Sequence, residues 1–217
     1  MAGVVLLHGF ASTSFTWRHV AAALRDDGHE VATPDLGCAF ATPVDAEGAV
    51  VVGHSAGCVT AVLSAGGARG LVLVSPVLDG RGGPPAIVRS ALRTLPGSAA
   101  LLRAGVRVAF DRAFRSASRS ALAAEVLDGY RAPLLAPGAM EAIVAMEHAP
   151  DVRPQLAALT GDVPVHVVVG EHDRWATLLP SVPTTVIAGA GHLPHEERFD
   201  ETTAAIRRAL QAWGTPR

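Results

Sequence analysis

The sequence predicts a single α/β domain built on a six-stranded, mostly parallel sheet, with a helical insertion between its fourth and fifth strands. Three observations carry that expectation. Val4-Val5-Leu6-Leu7, Ala49-Val50-Val51-Val52, Gly70-Leu71-Val72-Leu73-Val74 and the stretch Val163 to Val169 are short and almost continuously apolar, as strands buried on both faces are. Segments with helical spacing alternate with them, which implies parallel pairing through right-handed crossovers. The alternation then breaks at Asp79, and no strand-like run returns until Val163.

With 217 residues, 49% of them apolar, the chain can bury one sizeable core. A net charge of -2 offers nothing to attract nucleic acid or a membrane surface. All 18 basic residues are arginine, read first as a compositional bias. Cys38 and Cys58 are too few for a disulfide framework and lack metal-ligand spacing, so both are expected as free thiols. The N-terminus does not read as a secretory signal and no apolar run reaches membrane-spanning length; a cytoplasmic location is the expectation.

In chain order, Val4 to Leu7 forms the first strand and runs into the small loop His8-Gly9-Phe10-Ala11-Ser12-Thr13. Trp17 to Arg25 repeats its apolar residues at helical spacing and is closed by Asp27-Gly28. Glu30 to Thr33 reads as the second strand, stopped by Pro34. Residues 37–48 lack periodicity and are expected as loop. Ala49 to Val52 is the third strand, a helix follows to about Ser64, and Gly70 to Val74 is the fourth strand. Across residues 79–150, stretches near 85–95, 98–114, 118–130 and 138–147 look helical, forming a cap over one end of a core made of 1–78 and 151–217. The cap is rich in arginine, read first as a solvated surface. Val163 to Val169 and Thr184 to Ile187 complete the sheet, and Asp200 to Trp213 is an amphipathic helix that packs back on it.

The third strand leads into Gly53-His54-Ser55-Ala56-Gly57. A serine between glycines, at a sharp strand-to-helix turn or elbow, has its hydroxyl pushed into open space, and the glycines let strand and helix nearly touch. Asp173 and His192 likewise fall just past the ends of predicted strands, the edge where open α/β sheets assemble their sites. A serine hydroxyl needs a base, and the base needs an acceptor that sets its tautomer.

In these stretches the chain resembles the α/β-hydrolase-fold serine hydrolases, of the compact esterase-like branch with a helical cap. The matching residues are His8-Gly9-Phe10, Gly53 to Gly57, Gly170-Glu171-His172-Asp173, and Gly189-Ala190-Gly191-His192-Leu193-Pro194-His195-Glu196-Glu197, in the family's order. The resemblance implies Ser55 as nucleophile, His192 as general base, Asp173 as its orienting acid, and the backbone N–H groups of Phe10 and Ala56 as oxyanion hole. It implies cleavage of an ester, thioester or related acyl bond through an acyl-enzyme, with no metal or organic cofactor. The expected partner is a small-molecule acyl substrate, free or bound to a carrier. The alternatives are a non-hydrolytic catalyst, of cyclase or acyl-transferase type, and a ligand-binding protein using the same pocket.

Glu171 and Asp79 compete with Asp173 for the acid role. His195 is expected at the surface, His54 with its side chain turned away from the elbow, and Trp17 and Cys58 in the core. The chain departs from the family in lacking the two usual N-terminal strands, so the expected spatial order, by starting residue, is Glu30, Val4, Ala49, Gly70, Val163, Thr184. The helix that usually precedes the elbow strand, and the one between Asp173 and Thr184, are expected to be shrunken or missing.

Overall fold

The computed structural model describes residues 3–80, 90, 94–145, 149–159 and 161–214. Six strands, β1 (Val4–Leu7), β2 (Val31–Ala32), β3 (Val50–His54), β4 (Gly70–Val74), β5 (Val165–Gly170) and β6 (Thr184–Ile187), form one sheet. Their order is β2-β1-β3-β4-β5-β6, and every pairing is parallel. This is the order expected from the sequence. β2 is shorter than expected, and its two residues leave little edge for another chain to pair with.

The apolar runs become central strands because helices cover both faces of the sheet. Val5, Leu7, Val51, Leu71 and Leu73 point to one side, where they meet α2 (Gly57–Leu63). Val4, Leu6, Val50, Val52, Val72 and Val74 point to the other and pack with residues of α1 (Arg18–Asp26) and of the C-terminal helix Phe199–Ala212. β1, β3 and β4 are buried throughout. Each Val or Leu so buried contributes about 1.5–3 kcal/mol. A 3₁₀ turn at Ser14–Trp17, capped by the Thr13 side chain on the Phe15 amide, feeds α1 and drops Trp17 into the core.

No helix forms between Pro34 and Ala49, as expected. The loop is tied down instead by Thr60, whose hydroxyl donates to the Phe40 carbonyl, and by Ser64, which accepts from the Val44 amide. None forms between Asp173 and Thr184 either.

The insertion carries α3 (Ser98–Ala117), α4 (Ala124–Leu135) and α5 (Ala139–Ala145). They enclose a small cluster of their own, Phe110, Tyr130, Leu134 and Met140, which rests on Phe15 and Ala11. Its ends meet in an antiparallel bridge between Asp79 and Asp151, with the Val152 amide 2.9 Å from the Leu78 carbonyl. The sequence predicted a helix near 118–130; α4 starts later and runs further, and the Arg119 and Ser120 amides bond to the Glu197 carboxylate instead of to helical carbonyls. The helix expected near 85–95 lies mostly outside the described residues. A short helix not expected from the sequence, α6 (Arg153–Leu159), sets Leu156 against the α2 face of the sheet. After β6 come the short α7 (Pro194–Glu197) and α8 (Phe199–Ala212), the expected amphipathic helix. Among the described residues, no helix is long and apolar enough to cross a membrane.

Candidate active site

The turn after β3 holds Ser55 at φ 52°, in the left-handed region that non-glycine residues avoid. The flanking glycines are sterically required. A Cβ on Gly57 would lie 2.3 Å from the His8 carbonyl oxygen, and one on Gly53 2.8 Å from the Cys58 Cα. The turn is held by the Ser55 amide on the Val74 carbonyl (3.0 Å) and by the Val77 amide on the Ser55 carbonyl (3.3 Å).

His192 reaches Ser55 from the loop after β6. Its Nε2 is 3.0 Å from the Ser55 Oγ, and its Nδ1 is 3.0 Å from both carboxylate oxygens of Asp173. A carboxylate can only accept, so Nδ1–H donates to Asp173 and Nε2 is left to accept the Ser55 hydroxyl proton. The Asp173 side chain is fully buried, and one oxygen also accepts from the Trp175 (2.9 Å) and Ala176 (3.2 Å) amides. Burial alone would raise its pKa; the bond to His192, its charge and the Trp175 amide outweigh burial and hold the carboxyl below its ordinary value. Neither rival acid reaches His192. Glu171 accepts from the Gly189 amide (2.9 Å), and Asp79 sits at the base of the insertion.

The His8-Gly9-Phe10 loop closes over the same point. A Cβ on Gly9 would be 3.0 Å from the Ser55 Cβ. His8, with no exposed surface, holds the loop by donating from Nδ1 to the Gly9 carbonyl (2.9 Å), while its Nε2 accepts from the Leu36 amide (2.8 Å). Neither the Phe10 nor the Ala56 amide has a partner among the described residues.

Around these groups lies a shell of polar side chains that the sequence did not make legible. His195, expected at the surface, is only 1% exposed. It packs on Trp17 and His54, and its Nε2 is 2.7 Å from the Thr16 hydroxyl. Tyr130 of the insertion bonds the same Thr16 hydroxyl and donates to Glu196 (2.9 Å), which a bidentate Arg18 also holds (2.6 and 2.9 Å). His54 does not touch the Ser55 hydroxyl, yet it is not remote: its Nε2 donates to the His192 carbonyl at 2.9 Å. Burial, then the His192 charge, push the His54 pKa down to about 3, so its imidazole is neutral. Trp17 and Cys58 are core residues as expected.

Glu197 joins the insertion to the His192 loop. One of its oxygens accepts from the Gly191 (3.0 Å) and Leu193 (3.3 Å) amides, on either side of His192. The other accepts from the Arg119 (2.6 Å) and Ser120 (3.0 Å) amides beyond α3. The His192 amide itself donates to the Ala117 carbonyl at the end of α3 (2.8 Å). Among the described residues no group of His, Cys, Asp and Glu side chains is arranged to hold a metal ion.

The sequence profile of the alpha/beta hydrolase family matches residues 4–205. No curated protein matches the chain. Among solved structures it is similar to a thermophilic esterase from Thermogutta terrifontis with malate bound, at 23% identity, TM-score 0.71, over 97% of this chain and 89% of that one. It is similar to the epoxide hydrolase CorEH at 18% identity, TM-score 0.70, over 96% and 91%. A third, the enol-lactonase of Burkholderia xenovorans LB400, has 20% identity and TM-score 0.65 over 96% and 90%. At these identities the likeness is one of fold.

Proposed function

The chain belongs to the alpha/beta hydrolase family, and from that premise we propose that it is a serine hydrolase that cleaves an ester, thioester or related acyl bond through an acyl-enzyme on Ser55. The observation that carries the proposal is the continuous contact from the Ser55 Oγ through both nitrogens of His192 to the buried Asp173. Family membership alone does not distinguish this chemistry from that of the epoxide hydrolases. The side chain at the elbow favours it, because a hydroxyl paired with an imidazole is activated by proton removal, whereas a carboxylate would attack directly.

In the first half-reaction Ser55 attacks the acyl carbonyl while its proton passes to His192 Nε2. Asp173 stabilises the imidazolium through the Nδ1–H bond, and the Phe10 and Ala56 amides receive the negative charge on the former carbonyl oxygen. The tetrahedral intermediate collapses as His192 returns the proton to the leaving oxygen or sulfur. Water then gives its proton to the same nitrogen and attacks the acyl-serine, and the proton goes back to Ser55 as the acid departs.

Pre-steady-state hydrolysis of nitrophenyl esters and thioesters of graded acyl length tests the proposal. A burst of leaving group equal to the enzyme concentration is expected, with kcat in Ser55→Ala lower by about 10⁴-fold or more. A Ser55→Ala protein that kept its rate would point to a shape-based catalyst instead.

A further inference from the structure

A cavity of 240 Å³ opens beside His192. Arg115 and Arg119, at and beyond the end of α3, form one wall, and His172, Arg174 and Trp175, which follow β5, form the other. Arg115, Arg119 and Arg174 have no carboxylate partner among the described residues; Arg115 makes one long bond, 3.4 Å, to the Leu122 carbonyl. Elsewhere on the insertion, Arg103 pairs with Glu141 (3.2 Å) and Arg131 with Asp111 (2.9 Å), while Arg107 and Arg112 likewise have no carboxylate partner among the described residues. The nearby carboxylates are already engaged: Glu171 with His172 (3.7 Å) and the Gly189 amide, Asp173 with His192, Glu197 with four backbone amides.

Three arginines line one small concavity, and an anion bound among them would offset the repulsion between like charges. Guanidinium presents its N–H groups as a planar fork that fits carboxylate and phosphate oxygens in pairs. Trp175, which also lines the cavity, is 48% exposed and stands edge-on to His192 with ring centres 4.9 Å apart. His192 is the group that hands its proton to the leaving atom, so a cavity that His192 helps to line is next to the leaving group.

We propose that this cavity binds a carboxylate or phosphate carried by the leaving group, so that the substrate is an ester or thioester of an anionic alcohol or thiol. The inference rests on the reading of His192 as the base that serves Ser55. 4-Carboxyphenyl acetate and its neutral counterpart 4-carbamoylphenyl acetate form a matched pair, and 4-phosphonophenyl acetate distinguishes a phosphate site from a carboxylate site. Comparing the charged-to-neutral ratio of kcat/KM between the parent and a triple Arg115→Gln, Arg119→Gln, Arg174→Gln variant cancels the intrinsic reactivity of the esters. The ratio is expected to fall about tenfold or more in the variant, and to fall in the parent as salt is raised. A ratio that neither the triple variant nor salt changes means a solvated arginine surface and overturns the proposal.

Titrating Ser55→Ala with succinate and with inorganic phosphate, read by Trp175 emission with Trp175→Phe as control, tests the cavity without turnover. Saturable binding to Ser55→Ala, when the parent protein itself hydrolyses no ester, would overturn the acyl-enzyme reading and leave the anion site standing. Absence of binding together with an unchanged ratio would overturn the site alone.

Discussion

Asp173 decides which nitrogen of His192 faces Ser55. An Asp173→Asn side chain keeps the size, but its amide can present N–H to Nδ1 and favour the wrong tautomer; kcat is expected to fall by about 10³–10⁴-fold, with a smaller loss of thermal stability from the missing charge. Steady-state kinetics beside a melting curve check this, and a variant within tenfold of the parent would move the acid role elsewhere. Ser55, Asp173 and His192 were legible in the sequence because each stands immediately after an apolar run, in a glycine-bearing turn that fixes its place at one edge of the sheet. His195 and Glu197 sit in the same stretch as His192, yet their surroundings were not legible. His195 is buried by Trp17, Thr16 and His54, and Glu197 is bound by Arg119 and Ser120, all distant in sequence.

The β3-to-α2 elbow works by close approach. Gly57→Ala would drive a Cβ onto the His8 and Leu7 carbonyl oxygens of β1 and its exit, backbone that cannot swing aside. A loss of about 3 kcal/mol or failure to fold is expected, measured by urea unfolding. The inserted helices are coupled to the His192 loop through Glu197. Glu197→Ala would leave four amides without their acceptor. Its kcat is expected to drop about tenfold or more, with Glu197→Gln intermediate because its amide retains one accepting oxygen. A Glu197→Ala enzyme with unchanged kcat would show that the His54 and Ala117 bonds hold the loop unaided. The central strands β1, β3, β4 and β5 were legible because their apolar runs are long enough to demand burial, whereas the edge strands β2 and β6 are short and only partly buried. The insertion was legible as helical, but its boundaries were not: Arg119 and Ser120 leave helix to bind Glu197.

Across the whole molecule, three histidines buried around the site make stability depend on acid. His8, His54 and His195 are buried with pKa values below the ordinary 6.5, each chiefly because burial disfavours the charged imidazole. The unfolded chain therefore binds protons on these residues that the folded chain does not, so stability is complete above pH about 6.5 and declines as pH falls below it. For His54 the decline continues towards its folded value of about 3, at about 1.4 kcal/mol per pH unit. Asp173, depressed in the fold, adds a loss of the same sign at lower pH, as the medium falls through the carboxylate range. Urea midpoints at pH 7.5, 6 and 5 are expected to fall with increasing steepness, and a flat profile would mean that water reaches these histidines. The central claim, that Ser55 is an activated nucleophile, is tested most directly by reacting the folded protein with a fluorophosphonate and locating the adduct by mass spectrometry. One adduct per chain on Ser55, absent from Ser55→Ala and slowed by orders of magnitude in His192→Ala, is the predicted result. A properly folded protein that stays unlabelled, or is labelled at another residue, would contradict it.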